Sequence, residues 1–360
     1  MEREAIIRGL LIATIAKGNI LLLGAPGAAK TAIAERLSNQ LGGSFFSRLL
    51  TKVSAPEELF GPLSLKALEQ DQYKRVTSGK LPEADIAVID EIFKCNSAVL
   101  NTMLPIMNER VYFGDSNLPK AIPLQVLIGL SNELPDGGTN GELSALWDRF
   151  ELRYVVEYIK DERNFAKMIL LNTKQVLTMI SMQELQTAQL QAEQVKITDD
   201  TVNVLVRLWK ELKSQGFVIS DRRFRNSLRF LKAQAWLEGS TEVTNDDVAI
   251  LAHMLWTEPE HIKQIKKIVL GFSNPLLVKA NEIFDGAFEL TAKLKESPEG
   301  TERTSIATEA NHKLKVAQKM LDSLIKQAKL EGKSASRIVE RLNQLKAMNE
   351  EVVNTYLLGI

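Results

Sequence analysis

Residues 19–37 read NILLLGAPGAAKTAIAERL, and this stretch decides the fold. Ile20, Leu21, Leu22 and Leu23 make a short buried strand. The loop Gly24, Ala25, Pro26, Gly27, Ala28 and Ala29 follows. Lys30 and Thr31 then open a helix with apolar positions Ile33, Ala34 and Leu37. Strand, glycine loop, Lys-Thr and helix is the layout of a phosphate-binding loop. Glycines let successive N–H groups point inward, and a helix N-terminus adds partial positive charge. Lys30 would reach the β- and γ-phosphates, and the Thr31 hydroxyl would ligate Mg2+. The pattern G-x-x-x-x-G-K-S/T asks for glycine before the lysine, where this chain has Ala29. Alanine holds that position only with a negative φ or with some strain. Taken alone, the stretch could also be a strand-turn-helix with a chance lysine.

Working outward, residues 85–92 read DIAVIDEI. Ile86 to Ile89 form a second buried strand with two carboxylates at its C-terminal end, where open α/β sheets bind ligands. Asp90 would hold Mg2+ and Glu91 would polarise the attacking water. Adjacent acids can also begin an ordinary helix, where the dipole favours them. Coming about 60 residues after a phosphate loop, the catalytic reading is preferred. Residues 124–130 are another buried strand, with Asn132 beyond its end, placed for the γ-phosphate or the attacking water. The alternative for Asn132 is a turn-capping asparagine. Residues 98–110 are helical, with Pro105 expected to kink or tighten the helix, and 111–118 suggest a hairpin or loop. Residues 45–50 and 153–159 supply two more strands. Five strands with intervening helices predict a mainly parallel, doubly wound sheet.

From residue 161 to 256 the pattern is helical, with candidate helices at 162–180, 199–214, 221–238 and 245–254. Thr244 and Asp247 form a capping pair. The third of these begins Ser220-Asp221-Arg222-Arg223, and Arg222, Arg225 and Arg229 share a face. A phosphate sensor, a nucleic-acid patch and a solvated face are the readings open for it. From about residue 271, apolar residues recur with gaps of four and three: Leu276, Ala280, Ile283, Ala287, Leu290 and Leu294, then Leu314, Ala317, Leu321, Leu324 and Ala328. A looser seam runs through Ile338, Leu342, Leu345 and Val352. Breaks at 297–300 and 331–334 divide an antiparallel three-helix bundle or coiled-coil arm.

The 360 residues suffice for two or three domains. Forty-five Lys plus Arg against forty-five Asp plus Glu give no general pull toward nucleic acid or anionic membrane. One cysteine and three histidines exclude a disulfide framework and offer no metal-ligand cluster. No apolar run approaches the ~20 residues of a membrane span, and no signal peptide opens the chain. A cytoplasmic location is expected.

The series GAPGAAKT, VIDEI, GLSNELPD, LWDRF and SDRRF resembles the MoxR group of AAA+ ATPases, and within it the RavA-like members. In that group alanine commonly precedes the lysine. The resemblance covers about residues 1–256. It implies an AAA+ nucleotide-binding core over 1–160 with a parallel five-stranded sheet, an all-α lid over 161–258, and a C-terminal helical arm or bundle over 259–360. It implies ATP and Mg2+ as cofactors and a hexamer with ATP at subunit interfaces. By this similarity Lys30 and Thr31 take the Walker A roles, Asp90 and Glu91 the Walker B roles, and Asn132 that of sensor 1. Arg149 matches the arginine finger reaching a neighbour's ATP, and Arg222 the lid's sensor 2. Residues 59–80 correspond to an insertion used near the pore. Partners with von Willebrand A-type domains are implied.

The expected function is an ATP-hydrolysing, chaperone-like machine that remodels or assembles proteins. One rival is a nucleic-acid motor or loader, motivated by the arginine face and opposed by the balanced charge. Another is a non-hydrolysing scaffold, opposed by the presence of Asp90, Glu91, Asn132 and Arg149 together.

Overall fold

The computed structural model describes residues 2–114, 118–135, 143–170, 178–296, 301–331 and 335–358. The chain forms two compact units. The first comprises Met1–Asn203, Leu212–Val243 and Ile250–Ile265, and the second Val204–Glu211, Thr244–Ala249 and Lys266–Ile360.

Among the described residues the first unit has seven strands: β1 (Asn19–Leu23), β2 (Phe45–Leu49), β3 (Ile86–Asp90), β4 (Val111–Phe113), β5 (Pro119–Ala121), β6 (Val126–Ser131) and β7 (Leu152–Val155). Five make one parallel sheet in the order β2-β3-β6-β1-β7. Every residue of β1 and β6 is buried, as expected for parallel strands covered on both faces. This is why their sequences are apolar runs and do not alternate. β4 and β5 form a separate antiparallel ribbon, answering the hairpin expectation at 111–118 with a longer excursion.

Strand order sets the place of the chemistry. β6 lies between β1 and β3, with Leu23 level with Ser131 and Ile89 level with Gly129. The chain segments leaving the C-terminal ends of β1, β3 and β6 therefore emerge side by side. Ligands of such sheets bind at that edge. Gly129 permits this close packing, since a Cβ there would lie 2.5 Å from the Phe150 ring.

Helix α1 (Glu4–Ile15) precedes β1 and helix α2 (Lys30–Gln40) follows it. The helix Ser97–Glu109 runs through Pro105 without ending. The helix expected over 162–180 stops at Ile169, and residues 171–177 lie outside the described residues. Ile180 is extended backbone, bridged in parallel to Leu41. The next helix, Met182–Glu193, begins with a capping box in which Ser181 and Glu184 satisfy one another's backbone N–H groups. The helix Asp221–Leu237 is capped by Ser220, whose side chain accepts from the Arg223 N–H.

The second unit contains the helices Pro275–Glu296, Thr301–Leu330 and Ser336–Val352. Its core takes up the seam residues Leu276, Ala280, Ala287 and Leu294, then Leu314, Ala317, Leu321 and Ala328, then Ile338, Leu342, Leu345 and Val352. The three helices all pack on one another. The expected break at 297–300 lies outside the described residues, as do residues 332–334 of the break expected at 331–334. The expected capping pair is made: Asp247 accepts from the Thr244 N–H at 2.7 Å and from its hydroxyl at 2.8 Å. The helix it opens, Asp246–His253, is 3-10.

Candidate active site

The loop between β1 and α2 carries the first group of side chains. A Cβ on Gly24 would lie 2.2 Å from the Val156 carbonyl oxygen, so this position admits no side chain. Ala29, just before α2, has φ 66° and ψ 26°. Of the two options left by the sequence, strain is therefore the one adopted: an L-residue holds the left-handed conformation usually given to glycine. The first N–H groups of α2 have no intrahelical partners and are available to an anion. Lys30 is only 6% exposed. Its Nζ donates to the carbonyls of Gly24 at 2.6 Å and Ala25 at 3.0 Å, and to Asn132 Oδ1 at 2.7 Å. Burial lowers the Lys30 pKa, while Asp90 and Glu91 act to raise it.

The end of β3 carries the second group. Asp90 Oδ1 accepts from the Glu91 N–H at 2.9 Å, and Asp90 Oδ2 lies 3.4 Å from Thr31 Oγ1. Glu91 has φ 51°, a strained conformation of the kind that gathers at functional sites. The Asn132 amide donates to Glu91 Oε1. Glu91 Oε2 is buried, receives no hydrogen bond from the described residues, and lies 3.3 Å from Lys94 Nζ. Thus Lys30, Thr31, Asp90, Glu91 and Asn132, spread over about a hundred positions, meet at one sheet edge. Asn132 joins the cation to the carboxylate.

Arg149 and Arg222 lie outside this network. Arg149 Nη1 donates to the Ala145 carbonyl at 2.8 Å. Its pKa is lowered by burial and then by the nearby Arg222 guanidinium, against Asp148. Arg222 is exposed. The two expected arginines are thus neighbours of each other.

Several further charged residues pack around these two arginines and the strand β1. Arg223 is 6% exposed and pairs with Asp148 at 2.7 Å. Arg229, on the expected basic face, pairs with the buried Glu151. Glu151 also accepts from the Asn19 N–H at 3.0 Å and from Asn226 at 3.3 Å. Arg110, with φ 55°, donates to Asn19 Oδ1 at 2.9 Å and to the carbonyls of Ile106, Met107, Lys17 and Gly18. Burial brings the Arg110 pKa down to about 10. Arg153 lies against the rings of Trp147 and Trp256, 4.7 and 5.8 Å from their centroids. Tyr158 donates to the loop carbonyl of Pro26 at 2.8 Å. The sequence marks Arg223 in SDRRF, Arg229 on the basic face and Asp148 in LWDRF one by one, but not their pairing: the carboxylates that receive the arginines lie 75 and 78 residues away and show no spacing rule.

The donor set suits a nucleotide with a hard divalent cation. Thr31 and Asp90 supply oxygen donors, as Mg2+ prefers, and the Glu91 carboxylate stands beside them. Among the described residues no group of three or more His, Cys, Asp or Glu forms a separate metal site. Among them, too, no helix is long and apolar enough to cross a membrane.

A family described as the MoxR domain in the MoxR-vWA-beta-propeller ternary systems matches residues 1–198, and an AAA lid domain matches 200–269. Two uncharacterised proteins of Methanocaldococcus jannaschii are 37% and 36% identical, over 82% and 76% of this chain and 76% and 73% of their own lengths. The chaperone MoxR1 of Mycobacterium tuberculosis is 27% identical over 44% of this chain and 42% of its own. A crystal structure of a candidate ATPase from Cytophaga hutchinsonii shares the fold, with TM-score 0.60 and 21% identity, covering 76% of this chain and 90% of that one.

Proposed function

We propose, from the premise that this chain belongs to the MoxR family of AAA+ ATPases, that it is a Mg2+-dependent ATP-hydrolysing machine that works as a ring of six copies and remodels or assembles partner proteins. The observation that carries this reading is the node at Asn132. Its side chain accepts from Lys30 and donates to Glu91, tying the phosphate-binding cation to the carboxylate that would activate water.

In this reading the loop from Gly24 to Ala29 and the N-terminus of α2 cradle the β- and γ-phosphates. Lys30 exchanges its loop carbonyls for phosphate oxygens. Thr31 and Asp90 hold Mg2+, which when bound neutralises phosphate charge. Glu91 takes a proton from the attacking water, and Asn132 orients it. Arg149 reaches the ATP of a neighbouring copy, which makes hydrolysis depend on assembly; such an arginine is worth ~10³–10⁵ in rate. Arg222 reports nucleotide state through the lid. The division into a core over 1–160, a lid over 161–258 and a helical arm over 259–360 belongs to the same reading, as does a cytoplasmic location.

The partner is proposed to carry a von Willebrand A-type domain. Support comes from the family description, which names MoxR-vWA-beta-propeller systems. The test is Glu91→Gln. It should bind ATP with unchanged affinity and lose hydrolysis by ~10²–10⁴, the range for a lost general base. Turnover at the wild-type rate would refute the assignment. The same variant, loaded with ATP, should hold the ring and its partner together for capture from extract.

A further inference from the structure

We propose that two ion pairs, Asp148–Arg223 and Glu151–Arg229, clamp the Arg149 turn to the helix Asp221–Leu237, so that Arg149 and Arg222 are presented as one unit to the phosphates of a neighbouring copy. The proposal rests on the trans-acting role given to Arg149 above and adds two pairs of positioning residues to it.

The geometry is specific. The segment 148–151 is tied to the helix at both ends. At one end Arg223 Nη2 lies 2.7 Å from Asp148 Oδ1, and Arg223 Nη1 lies 3.3 Å from Thr257 Oγ1. At the other, Arg229 donates to Glu151 Oε1, and Asn226 lies 3.3 Å from the same atom. Arg223 and Arg229 stand six residues apart, ~9 Å along a helix. Two anchors at that separation fix orientation as well as distance. A third tie holds the backbone between them: the Asn19 amide donates to the Arg149 carbonyl at 2.8 Å. Asn19 is the first residue of β1, the strand whose other end launches the phosphate loop.

The Asp148–Arg223 anchor adjoins both candidate functional arginines. Arg223 follows Arg222 in sequence, and Asp148 precedes Arg149. Pairing Arg223 with Asp148 therefore brings Arg222 and Arg149 together, although like charges repel. Such an arrangement is favourable when an anion is supplied from outside. Arg149 Nη1 meanwhile rests on the Ala145 carbonyl of its own turn, an interaction it can surrender to a phosphate. The partner chemistry is thus a polyphosphate presented by a second copy of this chain.

The test uses Arg223→Gln and Asp148→Asn in the full chain, with steady-state hydrolysis and binding of a fluorescent ATP analogue. Each variant should lower kcat by ~10–100-fold, the cost of misplacing a reacting group by about an ångström. KM and nucleotide affinity should stay unchanged. Mixing either variant with Lys30→Ala protein should restore hydrolysis, because the Lys30→Ala copies carry an intact Arg149 and the clamp variants an intact phosphate loop. A residue of purely structural importance would give no such rescue. Wild-type kcat in both variants, or loss without rescue in folded protein, overturns the clamp. Should Arg223→Gln fail to fold, Asp148→Asn decides, since it keeps the shape and leaves Arg223 its Thr257 contact. The underlying reading has its own control: wild-type kcat in Arg149→Ala refutes the arginine finger, whereas an inactive Arg149→Ala beside fully active clamp variants refutes the clamp alone.

Discussion

Lys30 Nζ lies 2.7 Å from Asn132 Oδ1, across the gap between the loop after β1 and the end of β6. The sheet order makes this possible, because β1 and β6 are direct neighbours. The same amide bonds Glu91 on the other side. Asn132→Ala should therefore loosen both the cation and the carboxylate. Loss of one positioned donor costs ~10²–10³ in kcat, and nucleotide affinity should change less. Stopped-flow binding together with phosphate release would separate the two effects.

Ala29 sits at φ 66°. The left-handed conformation costs an L-residue ~1–2 kcal/mol, and glycine gives back ~0.5–1 kcal/mol through its freer unfolded chain. Ala29→Gly should then raise stability by about 0.5–1 kcal/mol. Ala29→Val, β-branched in the same conformation, should lower it. Urea midpoints at constant slope would show the order Gly, Ala, Val.

Arg110 gathers the loose carbonyls at the end of the helix Ser97–Glu109 and at the start of β1. Removing it takes the donor from Asn19 Oδ1 and the Ile106 carbonyl, while the carbonyls of Met107, Gly18 and Lys17 keep bonds from Asn19, the Leu127 N–H and Arg229. Each group that loses its donor costs ~1–3 kcal/mol, so Arg110→Ala should destabilise by roughly 3–5 kcal/mol. Arg110→Lys should recover part of this, since one ammonium cannot span the same acceptors. Thermal melts of the three proteins would check the ranking.

Acid should weaken one local tie in a defined window. Arg48 and then the Ala55 N–H hold the Glu58 carboxyl below its ordinary value of 4.5. A carboxylate with a depressed folded pKa contributes stability that is complete above the unfolded value and is lost as pH falls through the folded one. Wild type should melt above Glu58→Gln at pH 6, and the gap should close as pH drops below 4.5. A gap that does not narrow at any pH below 4.5 would contradict the ion-pair account.

Contiguous stretches made much of the candidate site legible. β1 with its loop and β3 with Asp90-Glu91 each carry an apolar run and functional residues within a few positions, so local pattern sufficed. The arm was legible for a similar reason: its seam residues Leu314, Ala317 and Leu321 repeat with helical spacing and are buried as expected. What escaped were pairings set by topology. Arg223 with Asp148, and Arg229 with Glu151, join residues 75 and 78 positions apart, and nothing in either neighbourhood announces the other. Ile180 escaped differently. Its surroundings favour helix, but pairing with Leu41 draws it into extended backbone, a tertiary preference overriding a local one.

The helix Thr301–Leu330 has 30 residues, which makes it ~45 Å long. Buried alanines along it, Ala307, Ala310, Ala317 and Ala328, bring its neighbours close and brace it against bending. A braced rod of that length is a lever: a turn of about 5° at one end displaces the other by about 4 Å, roughly three-quarters of a helical pitch. Angular changes too small to disturb a hydrogen bond at the near end become shifts at the far end large enough to make or break a side-chain contact.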